Sequence, residues 1–297
     1  MRVFLTGATG FIGTAVAREL LGAGHTVLGV ARTDEGAEAL AAAGVAPHRG
    51  DLNDHASFIA GARACEAVIH CAFIHDFARF VENMAIEQQT VVAMLDALAG
   101  SGMPFIATSG VAMLAPGRTA TEDDMPARQG RGETEALVRE AAGRGLRTAV
   151  IRLPPITHDS GTGGFLPPLV NAAREKGVAA FVGDGANRWP AGNRLDAARL
   201  YRLALEQGEP GAVYHAVDDE GLAMREIAEA IGRRLGLPTA SVTAQDAPAH
   251  FGWLGMFAGV DMPASAALTR ERLGWRPTHP GLIEDIETAA VLTGASI

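Results

Sequence analysis

From residue 1 to about 155, short apolar runs alternate with stretches whose apolar residues recur every three or four positions, the pattern of buried strands joined by amphipathic helices. This patterning predicts strands at Val3 to Thr6, Thr26 to Ala31, Ala46 to Arg49, Ala67 to Cys71, Pro104 to Thr108 and Arg147 to Leu153. Ile12, Ala15, Val16 and Leu20 mark a first helix that Gly22 and Gly24 stop. Further helices are expected from near Asp34 to Gly44, after a cap at Asn53 or Asp54, from about Phe80 to Gly100 and from about Gly130 to Ala142. Strand and helix in turn imply an α/β fold with a parallel, doubly wound sheet and right-handed crossovers. Past Pro154-Pro155 the chain becomes richer in Gly and Pro, with isolated strands at Val178 to Val182 and Ala212 to Val217. The expected organisation is a dinucleotide-binding domain over 1–155 and, over 156–297, mainly a smaller substrate lobe, with some segments (about 188–217) returning to the main sheet.

The junction of the first strand and first helix is Thr6-Gly7-Ala8-Thr9-Gly10-Phe11-Ile12-Gly13. Gly7 suits a tight turn, Gly10 lets backbone approach a pyrophosphate, and Gly13 lets the helix pack closely on the strand. Phosphates are then expected at the helix N-terminus, where free N–H groups and the macrodipole favour negative charge.

Composition narrows the partners. With 297 residues and 48% hydrophobic content the chain can bury a full core, and a formal net charge of −9 argues against nucleic acid or an anionic membrane as main partner. Met1-Arg2-Val3-Phe4 leads straight into the first strand, so a soluble cytoplasmic protein without leader or spanning segment is expected. Cys65 and Cys71 lack metal-ligand spacing and read as reduced thiols, and no metal is expected.

On the glycine turn, Gly50-Asp51-Leu52, Val68-Ile69-His70-Cys71-Ala72, Arg152-Leu153-Pro154 and Leu273-Gly274-Trp275-Arg276-Pro277, the chain resembles the extended short-chain dehydrogenase/reductases, the NAD-dependent epimerase/dehydratase family, over nearly its whole length. The resemblance implies a Rossmann-type fold, a nicotinamide dinucleotide and a small-molecule substrate. It implies that Thr6, Gly7, Thr9, Gly10, Phe11, Ile12 and Gly13 hold the cofactor, with Asp51 and Leu52 at the adenine and Cys71 and Ala72 at the nicotinamide ribose. Asp51 otherwise reads as a turn or cap carboxylate. In the family the long helix and the helix carrying Arg131 commonly form a dimer interface. Here Val91, Val92, Met94, Leu95 and Leu98 cover more than one helix face, so a homodimer is expected.

The second cofactor phosphate is argued from charge. A carboxylate after the second strand would suit the 2′-hydroxyl of NAD, and an arginine suits the 2′-phosphate of NADP. Ala31-Arg32-Thr33 offers an arginine and a hydroxyl, so NADP is favoured over NAD, with Asp34-Glu35 assigned to the first turn of the following helix.

Catalytic residues depart from the family pattern. Its tyrosine and lysine, four residues apart on one helix, fall at Ala127 and Arg131 when the helix is aligned by Glu135. The only tyrosines, Tyr201 and Tyr214, lie far downstream, in the expected second lobe. Arginine keeps its charge, so Arg131 can fix a ribose and stabilise an alkoxide but hardly donate a proton. Ser109, His75 and His158 are the candidate donors; strict register places Gly110 where the family serine stands. A plainer alternative makes Arg131, Glu135 and Arg139 one solvated row of i,i+4 pairs. Gly161 to Phe165 and Gly183 to Trp189 read as loops closing over a substrate. Arg188 then supplies charge and Trp189 an apolar wall, unless Trp189 packs the lobe. Phe251, Trp253, Met256 and Phe257 form either an apolar pocket or plain core. The leading expectation is an NADP-dependent oxidoreductase acting on a small, largely apolar carbonyl or alcohol. A non-catalytic NADP sensor and a nucleotide-sugar epimerase or dehydratase are the alternatives.

Overall fold

The computed structural model describes residues 1–74, 76 and 79–293. Its first half runs β1 (Arg2–Thr6), α1 (Phe11–Gly22), β2 (Thr26–Ala31), α2 (Asp34–Ala42), β3 (Ala46–Arg49), α3 (His55–Arg63), β4 (Ala67–His70), α4 (Phe80–Leu98), β5 (Pro104–Gly110), α5 (Arg131–Glu140) and β6 (Arg147–Leu153). The chain continues through β7 (Ile156–His158), α6 (Leu166–Lys176), β8 (Ala179–Val182), β9 (Arg188–Asn193), α7 (Arg194–Gln207), β10 (Ala212–His215), β11 (Asp219–Ala223) and α8 (Met224–Leu235). Last come β12 (Thr239–Val242), α9 (Ala247–Phe251), α10 (Gly255–Ala258), α11 (Ala267–Leu273) and α12 (Leu282–Thr288).

Seven strands form one parallel sheet in the order β10-β6-β5-β4-β1-β2-β3. Strand order reverses between β1 and β4, and that switch point opens a crevice at the carboxyl ends of the two strands. Successive side chains alternate between the sheet's faces, and the core divides accordingly. Leu5, Ile69, Ile106 and Ile151 pack with α1 and α7, whereas Phe4, Val68, Phe105 and Val150 pack with α3, α4 and α5.

Helix ends follow local chemistry. Thr33 Oγ1 caps α2 by accepting from Gly36 N–H, Asp34 and Glu35 occupy its first turn, and Asp54 caps α3 through Ser57 N–H. Val91, Met94, Leu95 and Leu98 are buried by the chain's own sheet and Val92 is half-buried, so these residues find cover within the chain, while Val81 at the start of α4 is exposed.

Of the segments expected near 188–217 to return to the main sheet, not all do. Helix α7 and strand β10 do join it, and Tyr201 and Tyr214 therefore belong to the main sheet's layers instead of a second lobe. Strand β9 instead sits between β7 and β11 in a three-stranded sheet, because Trp189 is buried in a second core with Leu166, Phe181, Met224 and Phe251. Among the described residues no helix is long and apolar enough to cross a membrane.

Candidate functional site

The glycine turn is built as tightly as its residues predict. Gly7 has φ +66°, and a Cβ there would lie 2.8 Å from the backbone of Cys71 and Ala72, so the turn rests directly on the end of β4. A Cβ on Gly13 would overlap the Gly7 carbonyl, which holds α1 against the strand. Gly10 is the N-cap of α1, and the first-turn amides that follow have no acceptor within the helix. A cradle of backbone, free of side chains, at a helix N-terminus at the sheet's switch point fits a dinucleotide pyrophosphate. Phe11 and Ile12 begin the helix, and Thr9 stands in the turn before it. Arg194 seals the turn from the far side, with its guanidinium 4.5 Å from the Phe11 ring, 3.1 Å from the Phe11 carbonyl and 2.7 Å from Asp159.

Thr6 ties the turn to β4. Its hydroxyl oxygen accepts N–H groups from Cys71 and Ala72 at 3.1 Å each, which uses both lone pairs. The hydroxyl proton is left to donate to His70 Nδ1 at 2.9 Å, so neutral His70 carries its proton on Nε2. Burial, reinforced by the Arg131 charge, lowers the His70 pKa to about 3. Among the described residues its Nε2 has no hydrogen-bond partner, and it lies 3.9 Å from Glu87 Oε1.

Arg131 is the first residue of α5, and it does not join a solvated row. Its Nη2 donates to the Thr108 carbonyl at 2.8 Å, its guanidinium stacks 4.5 Å from the Phe73 ring, and Nη2 is 3.9 Å from Glu87 Oε1. The i,i+4 alternative fails because Glu135 is buried against Arg152, 3.1 Å from its Nε, and Arg139 turns to the Gly211 carbonyl. Ala127 is exposed in the turn before α5 and is not on that helix.

The other candidate donors are distributed unevenly. Ser109, only 8% exposed, lies opposite Arg152 in the β5–β6 register, while Gly110 at the strand's end is exposed and a Cβ there would meet open space apart from the Leu153 carbonyl oxygen at 3.6 Å. His75 lies outside the described residues. His158 is fully buried in β7 and donates from Nδ1 to Asp285 at 2.8 Å, which makes it a structural histidine between β7 and α12. Tyr201 is fully buried too, its hydroxyl 2.6 Å from Thr108 Oγ1, which itself donates to the His70 carbonyl. Burial, with the neighbouring Cys71 thiol, holds the Tyr201 phenol well above its ordinary pKa, and burial likewise pushes the half-buried Cys71 up to about 11.

Toward the adenine end, Asp51 Oδ1 accepts from Asn53 N–H at 2.9 Å and from its side-chain amide at 2.7 Å, an Asx turn. That backbone hydrogen bond leads in holding the carboxyl below its ordinary pKa, with the Arg32 charge a smaller contributor. Leu52 is buried beneath it, and its carbonyl accepts from Thr90 at 2.7 Å. Arg32 is exposed directly after β2, while the Thr33 hydroxyl is committed to capping α2.

Across the crevice, Phe165 meets Trp253 edge-on at 5.3 Å and Phe257 at 6.0 Å, and Trp253 and Met256 are exposed. Phe165 N–H donates to the Pro155 carbonyl just past β6, and Ala112, just past β5, packs on the same cluster. Trp189 is fully buried, with its indole N–H on the Val260 carbonyl, so it packs the lobe instead of forming a wall. Arg188 is held by Asp261 at 2.9 and 3.0 Å. Among the described residues no cluster of three His, Cys, Asp or Glu side chains could hold a metal ion.

Sequence reasoning missed Glu87, Phe73 and the Thr108 carbonyl. A signal for Glu87 existed: Asn83, Glu87 and Thr90 make a polar row at i, i+4 and i+7, and all three are buried on one side of α4.

Residues 3–217 match the NAD dependent epimerase/dehydratase family. The chain is 43% identical over 295 residues to an uncharacterized protein of Schizosaccharomyces pombe, covering 98% of this chain and 99% of that protein. It is 27% identical over 278 residues to the 4-hydroxy-2-methyl-3-oxo-4-farnesyl-3,4-dihydroquinoline-1-oxide ketoreductase of Stigmatella aurantiaca, covering 85% and 80% of the two chains. Among solved structures, the Thermus thermophilus UDP-glucose 4-epimerase complex with NAD superposes with a TM-score of 0.75 at 20% identity over 100% of both chains.

Proposed function

Because the chain belongs to the NAD-dependent epimerase/dehydratase family, we propose that it is a reductase or dehydrogenase that uses NADP in preference to NAD and acts on a small, largely apolar carbonyl or alcohol. The observation that carries this reading is Arg131, whose fixed cation stands at the carboxyl end of β5 in the crevice that the glycine turn opens. Bound there, the nicotinamide would give or take the hydride. Gly7 to Gly13 would hold the pyrophosphate, with buried Thr6 anchoring that turn to β4 instead of touching the cofactor, Asp51 and Leu52 would hold the adenine, Cys71 and Ala72 the ribose side, and exposed Arg32 would meet the 2′-phosphate. Arg131 orients the carbonyl oxygen and stabilises negative charge that develops on it. The proton comes from Ser109, His75 or water. Tyr201 is a poor source, since its phenol is buried against Thr108 with a raised pKa.

The substrate preference is supported by the aromatic cluster of Phe165, Trp253 and Phe257, which offers ring edges, with exposed Met256 preceding Phe257 in the chain. A nucleotide sugar would need a second diphosphate site, and Arg188 is already neutralised by Asp261. The Stigmatella ketoreductase, whose name specifies a farnesyl-bearing ketone, agrees with an apolar carbonyl. A cofactor-binding sensor without turnover is the second reading, supported by Ala127 standing in a loop instead of a tyrosine on α5.

The test is calorimetric titration with NADPH and NADH, followed by a spectrophotometric screen of apolar ketones with the tighter cofactor. NADPH binds more tightly, ketone-dependent oxidation is observed, and Arg131→Ala lowers turnover by roughly a hundredfold, the scale of one lost oxyanion donor. Tighter NADH binding refutes the role of Arg32, and tight cofactor binding with no turnover on any ketone favours the sensor.

A further inference from the structure

Glu87 is a carboxylate-bearing side chain in the middle of α4, 1% exposed, at the meeting point of three elements. From α5, Thr134 donates its hydroxyl to Oε2 at 3.1 Å. Also from α5, Arg131 Nη2 approaches Oε1 to 3.9 Å. From β4, His70 Nε2, which carries the proton by the count at Thr6 and has no hydrogen-bond partner among the described residues, lies 3.9 Å from the same oxygen. The last two distances exceed a hydrogen bond, so the interaction is electrostatic orientation by a charge in a poorly solvated site, where such fields are strong.

Arg131 needs such a group. It is a long side chain at the first position of a helix, and a glycine with φ +53° precedes it. Left to solvent, a guanidinium there would sample many rotamers, at a cost in rotamer entropy when it engages a ligand. Among the described residues three contacts fix it: the Thr108 carbonyl, the Phe73 ring and the Glu87 carboxyl. Glu87 is the acidic one of the three; burial raises its pKa, while the Arg131 charge and the hydroxyl of Thr134, one turn along α5 from Arg131, act against that rise and favour the carboxylate.

We propose that Glu87 is the positioning residue for Arg131: its buried carboxylate, held by Thr134 and faced by the His70 Nε2–H, keeps the guanidinium aimed into the crevice at the end of β5, where it meets the nicotinamide half of the cofactor. This rests on the placement of Arg131 beside the cofactor in the reading above. It gives α4 a part in the site, and it accounts for a buried acid that, among the described residues, hydrogen-bonds to a threonine alone.

A double-mutant cycle read on NADPH affinity, measured by titration and needing no substrate, tests it. Arg131→Ala is expected to weaken NADPH binding about tenfold, the scale of one charge-assisted hydrogen bond, and Glu87→Gln several-fold. Because Glu87 acts through Arg131, the double variant should bind no worse than Arg131→Ala alone. Losses that multiply in the double variant overturn the proposal, as does a Glu87→Gln protein that binds NADPH like the wild type while Arg131→Ala does not. If neither variant changes affinity, the placement of Arg131 at the cofactor falls with it. The ketone screen tests the reductase reading separately. Should Glu87→Gln not fold, Thr134→Val takes its place, with a smaller loss that also vanishes in the Arg131→Ala background.

Discussion

Tyr201 shows how a single side chain can stand near the chemistry without performing it. Its ring fills the layer between the sheet and α7, and its hydroxyl meets Thr108 Oγ1 across 93 residues of sequence. Thr108 has one proton and donates it to the His70 carbonyl, so the tyrosine donates to Thr108. Tyr201→Phe removes one buried neutral hydrogen bond and keeps the ring, so a stability loss of about 1 kcal/mol is expected with turnover and NADPH affinity within about twofold of wild type. Chemical denaturation and the ketone assay check it. A hundredfold fall in turnover would identify Tyr201 as the proton source after all.

At the scale of elements, α5 is fastened to the sheet by a buried ionic unit independent of the cofactor. Arg152 on β6 is fully buried between Glu135, the Asp124 carbonyl and His215 Nε2. His215 Nδ1–H donates to the Ser265 carbonyl, so Nε2 is free to accept from the guanidinium. Removing one partner of a buried pair leaves an uncompensated charge, so Glu135→Ala is expected to cost about 3 to 5 kcal/mol, far more than loss of a surface pair such as Arg128 with Glu140. Urea unfolding of Glu135→Ala and Glu140→Ala compares the two, and equal losses would contradict the buried unit. The same residues show what was legible in the sequence. Periodicity placed β2, β3 and β6 at their observed ends and put Asp34 and Glu35 in the first turn of α2, because strand alternation and capping are local. It left a helix-surface row of Arg131, Glu135 and Arg139 open as the alternative to a chemical role for Arg131, since i,i+4 spacing cannot see that Arg152 lies 17 residues away from Glu135 on the adjoining strand. Trp189 was left open between wall and lobe packing, and Tyr201 was put in the wrong lobe, for the same reason: their partners are distant in sequence, Val260 in one case and Thr108 in the other. The glycine turn was legible because its constraint is backbone geometry within eight residues, whereas Glu87 gains its meaning only from α5 and β4.

For the whole molecule, the buried titratable groups set how stability responds to pH. Burial, with the Arg131 charge, lowers His70 to about 3, and burial, with the Arg152 charge, lowers His215 to about 4. As pH falls below about 6.5, the unfolded chain binds a proton at each histidine while the folded protein does not, so stability drops by about 1.4 kcal/mol per pH unit for each. This loss spans the window from about 6.5 down to about 4 for His215 and about 3 for His70. Glu87 acts in the opposite sense. Burial raises its pKa above the ordinary 4.5, so in the window between those two values the folded state holds the proton and stability rises as pH falls. Two histidines outweigh one carboxyl, and unfolding free energies from urea titrations at pH 7, 6 and 5 are expected to decline. Glu87→Gln removes the opposing contribution, so within that window its stability should fall more steeply than the wild type's. A wild-type profile that stays flat or rises over this range would mean that His70 and His215 take up protons in the folded protein, which would remove both the neutral tautomer facing Glu87 and the acceptor for Arg152.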